Sequence, residues 1–359
     1  MNKNRRKPFC YAPWMSLQYG SLLQGGGFSP CCESQWRAYD GSFDEYSKSD
    51  ELNRFKAAMI THNTTFIESV CEQCINLEKV SGSSTRTNLI KKVEHENVSY
   101  EKIHVVDYRP TNICNLKCRM CFPSNSSMIA KERGITINNN NVDDIYSVDF
   151  ENVKIINLVG GEPSIDEHTD KFLQWLITNK NRDLRLSITT NATNTNSRWI
   201  DKLKEFKEVI VNVSIDGTEK TYEYIRTNAH WESVRNNIDI YKSLFETKFQ
   251  ITGSMYNMPN IEDWLPWFLD SNMWWDLYPV EGHKQLSLAA LPDDIREEKI
   301  AYLQSLNNEK LESVINQFAN SKFDPLVHKR FVDYTNKLDE TRNTNIRTVS
   351  SVYERIMND

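Results

Sequence analysis

The sequence predicts an α/β protein with parallel strands, and three observations support this prediction. Between residues 101 and 285, six short runs rich in apolar and β-branched residues alternate with helical patterns. Such alternation is the signature of βαβ units, in which crossover helices join parallel strands. A segment with five cysteines precedes these units, and a charged helical segment without cysteine follows them. We therefore expect three regions, at 1–100, 101–285 and 286–359.

The first region is expected to contain a hairpin followed by a helix. A β-prone run at 15–19 leads to Gly25, Gly26 and Gly27, which allow the chain to turn back toward residues 28–32. This glycine run lacks the Gly-Lys-Ser/Thr ending of a phosphate loop, so a turn is its expected role. A helix is expected at 50–59, with Ser49 or Asp50 as its cap.

The central and C-terminal regions are read from their apolar periodicity. We expect the six central strands near residues 104–108, 153–159, 184–190, 209–215, 249–256 and 274–280. We expect the central helices at 124–134, 166–179, 197–207, 218–245 with a break near Asn228, and 261–271. Beyond Pro292, near-helical spacing of apolar residues predicts helices that cover the central region or contact a partner.

Composition narrows the class of function. A formal net charge of -6 and the absence of a long basic run argue against a nucleic-acid partner. No window approaches the roughly 18 apolar residues of a membrane-spanning helix, and no apolar stretch follows the basic start at 2–7. The eight cysteines group in C-x-x-C and C-x3-C-x2-C clusters, which fit thiolate ligands better than disulfides. A soluble, cytoplasmic protein is expected.

The main chemical motif is a loop with Cys114, Cys118 and Cys121, placed after a predicted strand and before a predicted helix. Three sulfurs can bind three corners of a cubane iron-sulfur cluster and leave the fourth iron open, whereas a closed zinc site needs four protein ligands. An open iron can chelate a small molecule through an amine and a carboxylate. Zinc or unliganded thiols is the alternative that spacing alone leaves open.

This C-x3-C-x2-C loop resembles the cluster-binding loop of the radical S-adenosylmethionine (SAM) enzymes. The resemblance implies a 4Fe-4S cluster whose open iron binds the methionine end of SAM. It also implies that the six βα units form a partial (β/α)6 barrel of the TIM type, with its chemistry at the C-terminal ends of the strands. The family usually has an aromatic residue before the last cysteine, which packs on the adenine. Here Met120 stands in that position, and its polarizable thioether can fill the same apolar gap.

The run Gly160-Gly161-Glu162-Pro163 directly follows the second predicted strand of the barrel. It matches the family's Gly-Gly-Glu-Pro motif, which binds the SAM amino group. Glycines there let the backbone approach a ligand closely, and a carboxylate can accept hydrogen bonds from an ammonium group.

Further residues inherit roles from the same resemblance. Asn191 and Ser214 end the third and fourth strands, where the family contacts the ribose or carboxylate of SAM. Arg226 resembles the arginine that pairs with the SAM carboxylate, a task that suits the fork of a guanidinium group. Asp216 either caps the next helix or faces the substrate.

The N-terminal region resembles the SPASM and twitch modules that carry auxiliary 4Fe-4S clusters, here placed before the barrel. The resemblance rests on the hairpin, the helix and the C-x-x-C motif. Of the adjacent Cys31 and Cys32, Cys31 is preferred, because it fits the Gly-x-x-x-Pro-Cys pattern from Gly26 and because neighbouring strand residues point to opposite faces. Buried thiols together with a zinc site are the alternative. The implied ligands are Cys10, Cys31, Cys71 and Cys74.

The resemblance implies an oxidoreductase or maturase that cleaves SAM reductively to a 5'-deoxyadenosyl radical, which abstracts hydrogen from a substrate. A peptide or protein is the first expectation for that substrate, because SPASM and twitch modules often accompany peptide-modifying enzymes. A small molecule such as a sugar, nucleotide or amino acid derivative is the second. A flavodoxin or ferredoxin is the expected electron donor. A non-catalytic protein with two structural metal sites is the remaining alternative.

Overall fold

The computed structural model describes residues 9–20, 26–34, 38–95, 99–137, 142–179 and 181–358. The basic start at 2–7 and Gly25 lie outside these residues. The strands are β1 (Ser16–Tyr19), β2 (Phe28–Ser29), β3 (Val105–Tyr108), β4 (Lys117–Cys118), β5 (Ile155–Leu158), β6 (Arg185–Thr190), β7 (Glu208–Ser214), β8 (Arg226–Thr227), β9 (Glu246–Gly253) and β10 (Trp274–Pro279).

The helices follow the same chain order. They are α1 (Ala12–Met15), α2 (Phe43–Lys48), α3 (Asp50–Thr61), α4 (Thr64–Val70), α5 (Glu72–Ser81), α6 (Thr85–His95), α7 (Ser127–Glu132), α8 (Glu167–Thr178), α9 (Ser197–Lys204), α10 (Glu219–Ile225), α11 (Trp231–Leu244), α12 (Ile261–Asp270), α13 (Asp293–Ser305), α14 (Glu312–Ala319), α15 (Pro325–Arg342) and α16 (Val352–Ile356). Short 3-10 helices lie at Val142–Ser147, Pro163–Ile165, Met258–Asn260, Lys284–Leu286, Leu288–Ala290, Glu309–Leu311 and Ile346–Thr348.

Eight strands form one mostly parallel sheet in the order β10-β9-β7-β6-β5-β3-β1-β2. Within this sheet the pairs β1 with β3, β3 with β5, β5 with β6 and β9 with β10 are parallel, and the pair β1 with β2 is antiparallel. The strands β3, β5, β6, β7, β9 and β10 correspond to the six that the sequence predicted. The α/β class, with a mostly parallel sheet typical of a partial barrel of the TIM type, and the C-terminal helices are confirmed.

The buried face of the sheet shows why these strands form. Tyr19, Tyr108, Leu158 and Ile188 lie side by side in register on β1, β3, β5 and β6, and all four are buried. Phe172 of α8 packs on this row, with 4.4 Å between its ring centroid and that of Tyr108. Alternation of apolar residues along each strand therefore directs one face of the sheet onto a helix.

Helix boundaries follow from local capping. The Ser49 hydroxyl caps α3 by accepting a hydrogen bond from the Leu52 N–H at 3.2 Å, as the sequence predicted. Asp166 caps α8 through the N–H groups of His168 and Thr169. The predicted break near Asn228 is confirmed, because the short strand β8 separates α10 from α11 there.

Two compact units make up the chain. The first contains residues 1–114, 123–189 and 196–210, and the second contains 115–122, 190–195 and 211–359. Within the first unit, β1 and β2 form the predicted hairpin, but β1 also pairs with β3, which the sequence did not predict. Within the second unit, β4 and β8 form a separate two-stranded sheet that was likewise not predicted. Among the described residues, no helix combines the length and apolar character needed to cross a membrane.

The packing of α8 on the sheet yields a stability prediction. Phe172→Ala removes a ring with 0% exposure and is expected to lower the free energy of unfolding by about 3–5 kcal/mol. Ile60→Ala, at a side chain that is 43% exposed, is the control and should cost less than about 1 kcal/mol. Urea unfolding followed by circular dichroism measures both, and equal losses would contradict the packing described.

Candidate functional site

Cysteines from three separate stretches of the first unit meet around one small cavity. Two of them come from the hairpin region, and two belong to the C-x-x-C motif at the start of α5. Phe55 and Met59 of α3 complete a mostly apolar wall. All eight cysteines lie in the described part of the chain, and none of them forms a disulfide. The cysteines that line the cavity are Cys10, Cys31, Cys71 and Cys74.

The adjacent cysteines Cys31 and Cys32 point to different surroundings. Cys31 lines the cavity and interacts electrostatically with the sulfurs of Cys10, Cys71 and Cys74. Cys32 instead donates a hydrogen bond to Glu33 Oε1 at 3.7 Å and lies close to the charge of Asp107. The structure thus brings the four predicted cysteines together and directs Cys32 elsewhere.

Burial controls the protonation of these thiols. It raises the pKa of Cys10 and of Cys71 to about 12, and the neighbouring cysteines add to the effect at Cys71. Burial also raises the pKa of Cys31 well above its ordinary value. Metal-free, these thiols are therefore protonated at neutral pH, and a bound metal is what would stabilise them as thiolates.

Arg86 is a cationic residue at the same cavity. Its guanidinium group lies 4.3 Å from the Phe9 ring centroid, and Arg86 Nε donates to Glu78 Oε1 at 2.9 Å. Burial raises the pKa of Cys74, while hydrogen bonds from the Arg86 backbone N–H and the Ser84 side chain oppose that rise. A positive charge and N–H donors beside sulfur ligands are features that tune an iron-sulfur cluster.

In the first unit, the backbone of Cys114 is held by Ser127 at the start of α7. Ser127 Oγ accepts a hydrogen bond from the Cys114 N–H at 3.1 Å and lies 3.2 Å from the Cys114 carbonyl oxygen, to which it donates. The Ser127 N–H donates to the Asn112 carbonyl at 2.7 Å. This serine fixes the first cysteine of the loop, and no sequence motif pointed to it.

The Gly-Gly-Glu-Pro run packs against the residues that lead into Cys114. The Glu162 N–H donates to the Ile113 carbonyl oxygen at 2.7 Å. A Cβ at Gly161 would lie 2.1 Å from that same oxygen, and Gly160 has φ of +126°, so both positions require glycine. The Glu162 carboxylate is buried, and its Oε1 accepts hydrogen bonds from the Ser164 N–H and hydroxyl at 3.1 and 2.6 Å.

In the second unit, Cys118 and Cys121 are set by the small sheet of β4 and β8. Cys118 pairs with Arg226 in register, and the Cys121 N–H donates to the Cys118 carbonyl at 3.1 Å in a tight turn. Regular pairing of only two residues fixes this part of the loop. The exposure of Met120, which lies inside the turn, is intermediate.

Arg226 and Asp216 form a buried ion pair beside Cys118. Arg226 NH2 lies 2.7 Å from Asp216 Oδ2, and Arg226 NH1 donates to Cys118 Sγ at 3.8 Å. The Thr252 N–H donates to Asp216 Oδ1 at 2.8 Å. Burial alone would lower the pKa of Arg226, but the charge of Asp216 and the Cys118 sulfur raise it above its ordinary value. Burial raises the pKa of Cys118, and Arg226 opposes that rise.

Asn191 and Ser214 lie at the ends of β6 and β7. Asn191 Nδ2 donates to Asn115 Oδ1 at 2.9 Å, and Asn115 Nδ2 donates to Thr193 Oγ1 at 2.8 Å. Asn191 is therefore bonded to the residue that follows the first cysteine of the loop. Ser214 is the last residue of β7 and is partly exposed.

Sequence reasoning did not select Arg119, although it lies inside the cysteine loop. Its side chain has no exposed surface and pairs with Asp339 of α15 at 2.7 Å. A cation between two cysteines was a signal in the sequence, but its partner lies 220 residues further along the chain.

Within the described ranges, no three side chains of His, Cys, Asp or Glu are arranged to hold one metal ion. Ligands of a cubane cluster bind different irons, so they do not converge on one point as ligands of a single ion do.

The chain is similar to known proteins over part of its length. The profile of the Radical SAM superfamily matches residues 108–265. GTP 3',8-cyclase of Sulfurimonas denitrificans is 34% identical over 122 residues, which cover 33% of this chain and 36% of that protein. An uncharacterised protein of Methanocaldococcus jannaschii is 32% identical over 111 residues, or 30% of this chain and 37% of that protein. The chain thus spans little more than a third of the length of these two curated relatives.

Solved structures are also similar at low identity. Native anSMEcpe with bound AdoMet aligns with a TM-score of 0.44 and 17% identity, over 61% of this chain and 63% of that one. Streptococcus suis SuiB bound to the precursor peptide SuiA aligns with a TM-score of 0.41 and 15% identity, over 69% of this chain and 61% of that one.

The contacts around Cys114 lead to a mutational prediction. Ser127→Ala removes both hydrogen bonds to the Cys114 backbone and is expected to lower the free energy of unfolding by about 1–3 kcal/mol. Ser147→Ala removes a similar bond to the Asp144 carbonyl at an exposed site, so its effect should stay within about 0.5 kcal/mol. Urea unfolding of the metal-free protein measures both, and an unchanged Ser127→Ala would contradict the anchoring role.

Proposed function

We propose that this chain, whose residues 108–265 match the profile of the Radical SAM superfamily, is an enzyme of that superfamily that binds a 4Fe-4S cluster through Cys114, Cys118 and Cys121 and cleaves SAM. One observation carries the proposal most directly. The Gly-Gly-Glu-Pro run after β5 is hydrogen-bonded to the residues just before Cys114, after the parallel neighbour β3. The amine-binding motif and the segment that leads into Cys114 therefore lie together after the carboxyl ends of adjacent strands, where barrels of this type carry their chemistry.

The chain's own groups suit SAM at this edge. Ser164 holds one oxygen of the Glu162 carboxylate, which orients this group to accept hydrogen bonds from an ammonium group. Arg226 Nε is buried and donates to no acceptor in the described part of the chain, so it is a donor available to the SAM carboxylate. Asn191, Ser214 and Met120 are proposed to contact the rest of the cofactor. Asp216 then serves to hold Arg226 in place.

The cluster, when bound, supplies the electron that splits SAM into methionine and a 5'-deoxyadenosyl radical. The protein excludes water and fixes the reacting groups, which is its share of radical chemistry. The arginine N–H beside Cys118 would stabilise the thiolate form of that ligand.

We propose in addition that residues 9 to about 90 form a twitch or SPASM-type module with an auxiliary 4Fe-4S cluster. The support is the cavity lined by Cys10, Cys31, Cys71 and Cys74. Metal binding would release the protons of these four desolvated thiols and stabilise the thiolates in their place, so this donor set fits a cluster.

The proposed substrate is a peptide or protein, with a small molecule as the second candidate. One face of the sheet, opposite the row packed on α8, carries Gln18, Asp107, Asn157 and Ser187 in register. Asn157 Nδ2 donates to Asp107 Oδ1 at 2.5 Å, whereas Gln18 Oε1 is buried and has no hydrogen-bond partner in the described structure. Such a polar row suits a substrate with hydrogen-bonding groups, such as peptide amides.

The match to GTP 3',8-cyclase favours the second candidate, a small molecule, with a nucleotide as the substrate. A flavodoxin or ferredoxin is the proposed electron donor.

The central test is anaerobic reconstitution with iron and sulfide, followed by a strong reductant and SAM. We expect about eight irons per chain, the spectrum of 4Fe-4S clusters and formation of 5'-deoxyadenosine. Cys118→Ala should abolish this product because one iron of the catalytic cluster loses its ligand. No cleavage by a fully loaded wild type would contradict the proposal, and zinc without iron would favour a structural metal protein.

The adjacent cysteines provide a matched pair for the auxiliary cluster. Cys31→Ser should lower the iron content by about four per chain, because it removes one of four thiolate ligands. Cys32→Ser should leave it unchanged, because Cys32 faces Glu33 and Asp107. Iron and sulfide analysis measures both variants. A loss of iron in Cys32→Ser but not in Cys31→Ser would reverse the ligand assignment.

A further inference from the structure

Arg119 is a fully buried cation inside the cysteine loop of the second unit. Arg119 Nε donates to the Tyr224 carbonyl at 2.8 Å, and the guanidinium carbon lies 3.6 Å from the Tyr224 ring centroid. Arg119 NH2 donates to Asp339 Oδ1 at 2.7 Å and to Thr344 Oγ1 at 2.6 Å. Arg119, the residue that follows Cys118, is therefore bonded to α15 and to the turn that follows α15.

Asp339 is the fixed partner in this network. Its Oδ1 accepts hydrogen bonds from the Tyr224 hydroxyl and from the Thr344 hydroxyl, each at 2.8 Å. Its Oδ2 accepts a hydrogen bond from the Ile346 N–H at 2.9 Å. A carboxylate with this many donors has one defined position, so the arginine that binds it is also held in one position.

A second tie runs from the same helix to the other side of Cys118. Arg342 NH1 donates to the Lys117 carbonyl at 2.7 Å and to Thr227 Oγ1 at 3.1 Å. The Arg119 N–H donates to the Ile225 carbonyl at 2.9 Å. The backbone on both sides of Cys118 is thus fixed, at Lys117 by a side chain of α15 and at Arg119 by the carbonyl of the last residue of α10.

Stability alone does not account for this arrangement. Replacing a buried ion pair by well-packed apolar side chains is often neutral or stabilising, because desolvation of two charges offsets their attraction. What an apolar pair cannot supply is a directional bond that sets where the loop lies. Among the described residues, regular β pairing of the loop is limited to the two residues of β4 with β8.

We propose that α15 is part of the cluster site, and that Arg119 and Asp339 are positioning residues for Cys118 and Cys121. The pair sets the loop geometry in which the catalytic cluster is bound and retained. This inference rests on the proposed function and assigns the C-terminal helices a direct role in it. Groups that orient metal ligands from outside typically change metal affinity by about 10- to 100-fold when they are lost.

The test measures iron release from the reconstituted full-length protein to a ferrous chelator. The kinetic phase of iron release that is absent from the Cys118→Ala variant is assigned to the catalytic cluster. Asp339→Asn is expected to speed this phase by about 10- to 100-fold. Glu298→Gln weakens the exposed Arg355–Glu298 pair of the same unit and should leave the rate unchanged. Equal rates for Asp339→Asn and wild type would overturn the inference.

A double variant separates positioning from stability. Arg119→Met combined with Asp339→Leu replaces the pair by apolar side chains and should recover the melting temperature lost in the single variants. Its catalytic cluster should still release iron about 10- to 100-fold faster than the wild type. The same comparison decides the matter if a single variant does not fold. Wild-type iron retention in a folded double variant would show that the pair only stabilises the fold and would overturn the inference.

The outcomes for the two proposals are distinguishable. A wild type that takes up no cluster contradicts the proposed function, and this inference falls with it. A wild type that keeps its cluster, together with an Asp339→Asn variant that keeps it equally well, contradicts only the role of α15. Addition of SAM to the reduced proteins provides a second readout, because a displaced loop should also weaken the response of the electron paramagnetic resonance spectrum to SAM.

Discussion

A buried positive charge needs a counter-charge inside the protein, and the cysteine loop of this chain contains such a buried positive charge. Arg119 has no exposed side-chain surface, and Asp339 provides the counter-charge. Because an uncompensated buried charge is strongly destabilising, the loop and α15 can form only together. Tyr224, Thr344 and the residues around Cys118 are then placed by the same network. The folded state of the second unit therefore depends on a contact between residues far apart in sequence.

In the first unit, the position of Cys114 is fixed by backbone contacts and not by an ion pair. Cys114 has no local regular structure of its own, and its backbone is held by Ser127 and by the segment that the Gly-Gly-Glu-Pro run approaches closely. At Gly161 any side chain would collide with the Ile113 carbonyl, so the close approach is possible only for glycine. A motif associated with cofactor binding thus also has a structural role, because the same glycines allow the end of β5 to approach the segment that leads into Cys114.

Much of this architecture could be read from the sequence, and the exceptions have physical reasons. The six central strands were predictable because β-rich apolar runs of four to eight residues alternate with helical periodicity. The four cysteines at one cavity were predicted through the resemblance to SPASM and twitch modules, although no pattern specified their contacts. Asp339 was not predictable, because a side chain in an amphipathic helix carries no mark of its partner. The sheet of β4 and β8 was missed because a strand of two residues has no periodicity to detect.

The pairing of β1 with β3 bears on how such a chain could be assembled in evolution. In the first unit, a strand of the cysteine-rich segment covers the edge of the first barrel strand, in register over four residue pairs. An exposed strand edge invites association with other chains, so an ancestor that lacked this segment needed another cover for β3. Removal of the segment would therefore differ from deletion at a linker, because it would expose one edge of the sheet.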